Sequence, residues 1–562
     1  MDTTTAYPAL FEKHRESIAK AIEALHNRTF YAHYPESPSK RIYGETAPED
    51  GQARFEAQLG QPFVLRQESE TLLRSAETSP YTRQPLGISY PVQTDPMAYI
   101  ALAQQAFASW KKVDLDTRAG LLMEALDRIG QRFFEMAHAT MHTTGQTFIM
   151  SFQASGPHGN DRALEALALG YYEQTRFPQD TVEWVKPMGK FDVRMDKRFR
   201  CVPRGIGLCI GVSTFPVWNT VPGIFANLIT GNVAIVKPHP LSVYPLAIVV
   251  QELQQVLAGQ GFDPHAVQLA VDLPGKPVTT ILAEHPAVKL IDFTGGSAYG
   301  NYLEGLPGKI TFTEKAGVNS VILDSTHDVK GMISNLAFSL SMYSGQMCTC
   351  PQNIFIPRAG IRVGDEVLPY DEVVAKLLAA IEDIAANPKM GAGVLGAVQQ
   401  EATLDRAVQA RTLGGRLLLD SKVVENAEFP QARMTSPLVL EVEASRRDLI
   451  GKEVFGPVAM VIPVDSTRHA VQFAKELARD KGAISCTAHT TDEATIAYIE
   501  EEMAEVFTPV SFNFTGMFWV NQNAGFSDFH VTGGNPAGNA SITDPLFVRQ
   551  RFGLVGMRVF KP

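Results

Sequence analysis

Across residues 97–131 apolar side chains recur three and four positions apart: Ile100, Ala103, Phe107 and Trp110, then Leu121, Leu122, Ala125 and Ile129. That period places one apolar stripe on each of two successive amphipathic helices. A third helical stretch covers 162–172. Over 182–202 the period changes: Val182 and Trp184, then Phe191, Val193 and Met195, alternate with polar residues, which predicts strands. From Gly205 onward short apolar runs at 208–212, 233–236, 267–271 and 290–293 read as strands, with helical patterns at 243–257 and 278–284. This alternation predicts a parallel sheet with crossover helices. A second series follows, with strands at 320–323, 354–357, 458–463 and 519–521 and helices at 329–344 and 370–386. The stretch 547–560 alternates again and predicts a final edge strand. Residues 1–75 are polar and largely helical with an irregular middle at 31–50, an extension packed on the main body.

A chain of 562 residues exceeds what one core usually supports. The pattern divides it into an extension at 1–75, a first α/β domain at 76–313 interrupted by a β flap at 182–202, a second α/β domain at 314–530, and a C-terminal return at 531–562. The flap and the last strand suit an oligomerisation arm, so a homodimer or higher homo-oligomer is expected. Net charge is −10 and no long basic run occurs, which argues against nucleic acid and anionic membrane as partners. The apolar passage 208–236 contains Pro216, Asn219, Pro222, Asn227 and Asn232, a poor composition for a spanning helix. No signal-peptide core precedes the first helix. Five scattered cysteines make no disulfide framework, so a cytoplasmic location is expected.

Several short runs carry candidate chemistry. Gly345-Gln346-Met347-Cys348-Thr349-Cys350 places a cysteine between a helix and a strand, where it can be a nucleophile, a metal ligand, half of a disulfide or a small core residue. A metal site there has little support: the spacing is C-x-C and no second pair follows. Glu314, at the end of a short strand, precedes Cys348 by 34 positions (348 − 314) and is a candidate general base. Phe293-Thr294-Gly295-Gly296 follows a strand and precedes a helix, a turn at which backbone N–H groups can approach a phosphate. Lys237 ends another buried strand, where ligands of open α/β sheets gather. Glu453-Val454-Phe455-Gly456-Pro457 is a further turn that pairs an acid with an aromatic ring.

In order and spacing these motifs resemble the aldehyde dehydrogenase superfamily, over roughly residues 80–560. The resemblance implies a Rossmann-type NAD(P)-binding domain, an α/β catalytic domain and a small β oligomerisation flap. It implies that Cys348 attacks an aldehyde to give a thiohemiacetal, and that Glu314 activates water to hydrolyse the resulting thioester. It further implies cofactor contacts from Lys237, Gly295, Gly296, Glu453 and Phe455. The family's oxyanion asparagine aligns without gaps with Thr214, a hydroxyl where an amide is usual; Asn219, five residues on, is the alternative donor. Losing one oxyanion donor costs on the order of 3 kcal/mol.

Pro240 stands where NAD-preferring members often carry glutamate, so the expected cofactor is NADP in preference to NAD. The extension, the stretch 215–223 and Lys237-Pro238-His239-Pro240 resemble the phenylacetic acid degradation (PaaN-type) ring-opening branch. That likeness implies a CoA-linked semialdehyde as the small-molecule substrate. The alternatives are a dehydrogenase that transfers the acyl group to CoA, and a non-catalytic scaffold on the same fold.

Overall fold

The computed structural model describes residues 7–517 and 529–562, apart from 68, 70, 179, 274 and 276. Five parallel strands form the first sheet, in the order Val267–Leu269, Val233–Lys237, Ile206–Ile210, Val288–Thr294 and Ile310–Glu314. Every residue of Ile206–Ile210 and Val233–Lys237 is buried, because crossover helices cover both faces of such a sheet. The chain winds outward from Ile206–Ile210 in one direction, then returns to build on its other side. The crevice at this reversal opens beyond the carboxyl ends of the strands, where Thr294 and Glu314 lie.

A second sheet of seven strands runs Arg416–Leu419, Leu438–Glu441, Val458–Val464, Asn353–Pro357, Ser320–Leu323, Cys486–His489 and Val510–Phe512. All its pairings are parallel except that of the edge strand Arg416–Leu419. The expected strand at 519–521 lies outside the described residues. A third sheet pairs Asp192–Pro203 with Val182–Pro187 and with Phe552–Lys561, all antiparallel. In the single chain its apolar side chains Val185, Val555, Val559 and Phe560 are exposed.

The two amphipathic helices are Pro96–Trp110 and Leu115–Gly130. The first begins at Asp95, whose carboxylate accepts the Met97 N–H; the second begins at Asp114, which accepts that of Thr117. Helix Tyr7–Asn27 of the extension lies along Leu115–Gly130 and buries Phe11, Ile18 and Leu25 in the same core. No described helix is long and apolar enough to cross a membrane.

Two elements differ from the pattern. The helix expected at 329–344 is Val329–Ser341, because Tyr343 and Ser344 take left-handed backbone conformations. The expected strand at 547–560 starts later, at Phe552, after a short helix Leu546–Arg549 that Asp544 caps.

That displacement sends Arg551 inward. Its guanidinium is fully buried and forks onto Asp292, with Nη1 2.8 Å from Oδ2 and Nη2 2.5 Å from Oδ1. Nη1 also donates to Asn227 at 3.0 Å, Nε donates to the Phe547 carbonyl, and the Phe312 ring lies 3.8 Å away. Arg551 thereby ties the C-terminal return to the centre of the first sheet. Removing one partner of a buried pair leaves the other charge uncompensated. Arg551→Leu is therefore expected to destabilise the fold by about 3–5 kcal/mol. Arg551→Leu with Asp292→Leu should recover much of that loss, and thermal unfolding of the two variants checks it.

Candidate active site

Cys348 is presented by a strained turn. Tyr343, Ser344 and Gly345 have φ of 52°, 50° and 66°, a conformation that costs a residue with a Cβ roughly 1–2 kcal/mol. Neighbouring segments hold it: the Tyr343 hydroxyl donates to the Thr144 carbonyl at 2.6 Å and the Ser344 hydroxyl to that of Leu395 at 3.1 Å. A Cβ on Gly345 would collide with the carbonyl oxygen of Gly456, so the cysteine turn and the Glu453–Pro457 turn are fitted to each other. Gln346, fully buried, donates to the Ala397 carbonyl and accepts the Gln399 N–H. On the far side the Asn319 amide donates to the carbonyls of Cys348 and Cys350 at 2.7 and 3.0 Å.

A cavity of about 400 Å³ opens beside this turn. Thr214, Gly295, Gly296, Glu314, Cys348, Glu453 and Phe455 all line it. Lys237 sits apart, buried at the end of its own strand and ion-paired with Asp272. Asp272 and Pro240 line a second cavity of about 300 Å³.

Glu314 ends strand Ile310–Glu314 and is itself buried. The Asn219 amide, from helix Pro216–Ile229, donates to Oε2 at 3.0 Å. His530 Nε2 lies 3.0 Å from Oε1 and 3.8 Å from Cys348 Sγ. Glu314, Cys348 and His530 bring their polar atoms within 4.8 Å of one another. Burial alone would raise the Glu314 carboxyl; His530, the Cys348 hydrogen bond and the more distant Arg162 outweigh it and hold Glu314 below the ordinary carboxylate range. Burial and the neighbouring Glu314 charge push the Cys348 thiol well above its ordinary range. Burial also pushes Glu453 up to about 7.

Thr214 is buried against the cavity, and its carbonyl accepts the Gln146 amide at 2.8 Å. Asn219 is committed to Glu314. His530, Arg162 and Asp272 were not singled out by sequence patterns. An acid just beyond the strand next to Lys237 was a usable signal for Asp272. His530 had none, being 182 positions from the cysteine it touches.

The residues fit a dinucleotide. Position 296 has open space around it, and Gly295-Gly296 stands at the start of helix Ser297–Glu304, where backbone N–H groups favour phosphate. The Glu453 carboxyl, at the cavity wall, is an acceptor for hydroxyl groups.

The sequence profile of the aldehyde dehydrogenase family matches residues 67–537. The chain is 24% identical over 463 residues to 1-pyrroline-5-carboxylate dehydrogenase of Bacillus subtilis, covering 79% of this chain and 84% of that protein. It is 27% identical over 415 residues to N-succinylglutamate 5-semialdehyde dehydrogenase of Chromobacterium violaceum, covering 71% and 78%. Among solved structures it is similar to an NAD-dependent aldehyde dehydrogenase from Burkholderia multivorans. Identity there is 42% and the TM-score 0.95, over 98% of this chain and 99% of the other. The fold is shared with a variant of Thermus thermophilus 1-pyrroline-5-carboxylate dehydrogenase at 20% identity and TM-score 0.76, over 94% and 99%. With a cysteine, a glutamate and a glycine turn converging on one cavity, and a family match across most of its length, this chain belongs to the aldehyde dehydrogenase family.

Proposed function

We propose that the protein oxidises an aldehyde to a carboxylic acid with NAD, through a covalent intermediate on Cys348 that water hydrolyses. One observation carries this reading: Cys348, Glu314, the Gly295-Gly296 turn and Glu453 border the same cavity. The Cys348 sulfur adds to the carbonyl carbon and the carbonyl electron pair moves onto oxygen, giving a thiohemiacetal. The Cys348 N–H and the Thr214 hydroxyl are the donors assigned to that oxyanion. Bound NAD supplies the hydride acceptor that makes the thiohemiacetal a thioester. Glu314 then takes a proton from water, the hydroxide attacks the acyl carbon, and the Cys348 thiolate leaves. A carboxylate kept ionised despite burial supports hydrolysis over transfer to CoA.

Asp272 supports NAD over NADP. It neutralises Lys237 and supplies, from the neighbouring strand's end, the negative charge that Pro240 lacks. A ribose 2′-phosphate would meet that carboxylate, so the electrostatic ground for expecting NADP is lost. Glu453 and Phe455 are assigned to the nicotinamide ribose and Lys237 to the adenosine ribose.

A semialdehyde is the substrate class in this reading, since relatives bear names of that kind. The CoA-linked semialdehyde of aromatic ring opening rests on sequence resemblance at 215–223 and 237–240. The exposed apolar sheet ending in Phe560 supports a homodimer or larger assembly.

A cofactor-reduction assay that pairs NAD and NADP with aliphatic, aromatic and CoA-linked aldehydes tests the proposal; no turnover with any pair would reject it. Cys348→Ala should abolish reduction of the cofactor. Glu314→Gln should keep a first-turnover burst in stopped-flow absorbance while steady-state turnover falls at least ~100-fold. Asp272→Ser should raise the kcat/KM ratio of NADP to NAD by about tenfold, because it removes a repulsive element. Glu453 loses its charge as pH falls through about 7. NAD affinity, measured by calorimetry, should therefore weaken between pH 8 and pH 6, and Glu453→Gln should flatten that dependence.

A further inference from the structure

Among the described residues, His530 is a buried polar group at the centre that this reaction scheme leaves without a task. Its side chain is 2% exposed and enters from the C-terminal side of the chain, next to Val531, which packs on Ile484. The ring is held edge-on against Trp218, with centroids 4.8 Å apart. The Trp218 ring in turn lies 3.5 Å from the Arg162 guanidinium, whose Nε donates to the Trp218 carbonyl. Helix Pro216–Ile229, through Trp218, and helix Pro157–Thr175, through Arg162, thus fix the imidazole. Its Nε2 faces both acids of the mechanism, 3.0 Å from Glu314 Oε1 and 3.8 Å from Cys348 Sγ.

The covalent step sets a charge problem. A thiolate at Cys348 beside an ionised Glu314 puts two negative charges within 4.8 Å in a largely buried site, and like charges at that range oppose each other's ionisation. If Glu314 instead took the thiol proton directly, it would be neutral when a base is needed for water. We propose that His530 is a third catalytic residue: as an imidazolium whose Nε2–H faces both Glu314 and Cys348, it stabilises the Cys348 thiolate that forms when the thiol releases its proton to solvent water. The S–H bond breaks, the proton passes to water, and the cluster goes from thiol, imidazolium and carboxylate with no net charge to thiolate, imidazolium and carboxylate with one negative charge, the cation lying between the two anions. Glu314 stays ionised for the later water, and the thiolate released by hydrolysis returns to its cationic partner. The charged groups acting on the cluster from other elements are Arg162 and, on the cysteine, Glu453.

The inference rests on Cys348 being the nucleophile. Its test reads the proton on sulfur without any turnover, so failure of the substrate assignment leaves it decidable. Purified full-length protein without cofactor is alkylated with iodoacetamide from pH 5.5 to 10.5, and labelling of Cys348 is followed by peptide mass spectrometry. The wild-type rate is expected to show a step in the neutral range, ahead of the alkaline rise of an unassisted buried thiol. His530→Gln should remove that step and slow labelling at pH 7 by about tenfold or more, with the two rates converging above pH 10. Equal rates at pH 7, or the same loss at every pH, would overturn the proposal. A wild-type profile with no step below pH 9 would also overturn it, and that measurement holds even if the variant fails to fold.

Discussion

The backbone turn at Tyr343, Ser344 and Gly345 is the constraint on which the placement of Cys348 beside its cavity depends. Three consecutive left-handed residues cannot persist by local preference, since two of them carry side chains that disfavour the conformation. They persist because the surrounding chain over-determines them. Tyr343 is tied to the end of helix Phe133–Thr144, Ser344 to the end of helix Pro388–Leu395, and Gly345 is closed over by Gly456. Helix Phe133–Thr144, helix Pro388–Leu395 and the Glu453–Pro457 turn therefore all bear on where the Cys348 sulfur points. Contacts from three separate segments thus fix the backbone that presents Cys348.

Around that fixed sulfur the chemistry is one of balanced charges. The first sheet delivers Glu314 at a strand end, helix Pro216–Ile229 delivers Asn219 and Trp218, and the C-terminal return delivers His530. Burial works against ionised groups, so each must be matched by a neighbour or stay neutral. Glu314 is matched and stays low; Cys348, next to it, is pushed high. The same logic governs Lys237 and Asp272, which satisfy each other at adjacent strand ends. Arg551 and Asp292 repeat it beneath the sheet, where the C-terminal return is anchored. That return carries one edge of the exposed three-stranded sheet, so a buried ion pair positions the flap as well.

What the sequence by itself determined is local. Cys348, Glu314, Gly295-Gly296 and the Glu453–Phe455 pair, which line one cavity, were legible because each stands in a short motif at a predicted strand end or turn, in the order and spacing of the family. The alternation of strands and helices, and the β flap at 182–202, were legible from hydrophobic period. Tertiary structure decided the rest. The helix into the cysteine turn stops at Ser341 because contacts with Thr144, Leu395 and Gly456 impose a conformation no propensity favours. Asp272 supplies a charge that the chain lacks at Pro240, reaching Lys237 across 35 positions. Asn219 is bound to Glu314 across 95 positions, and His530 reaches Cys348 across 182. Side-chain contacts at such separations are set by the packing of whole elements, and nothing in the local pattern of residues encodes that packing.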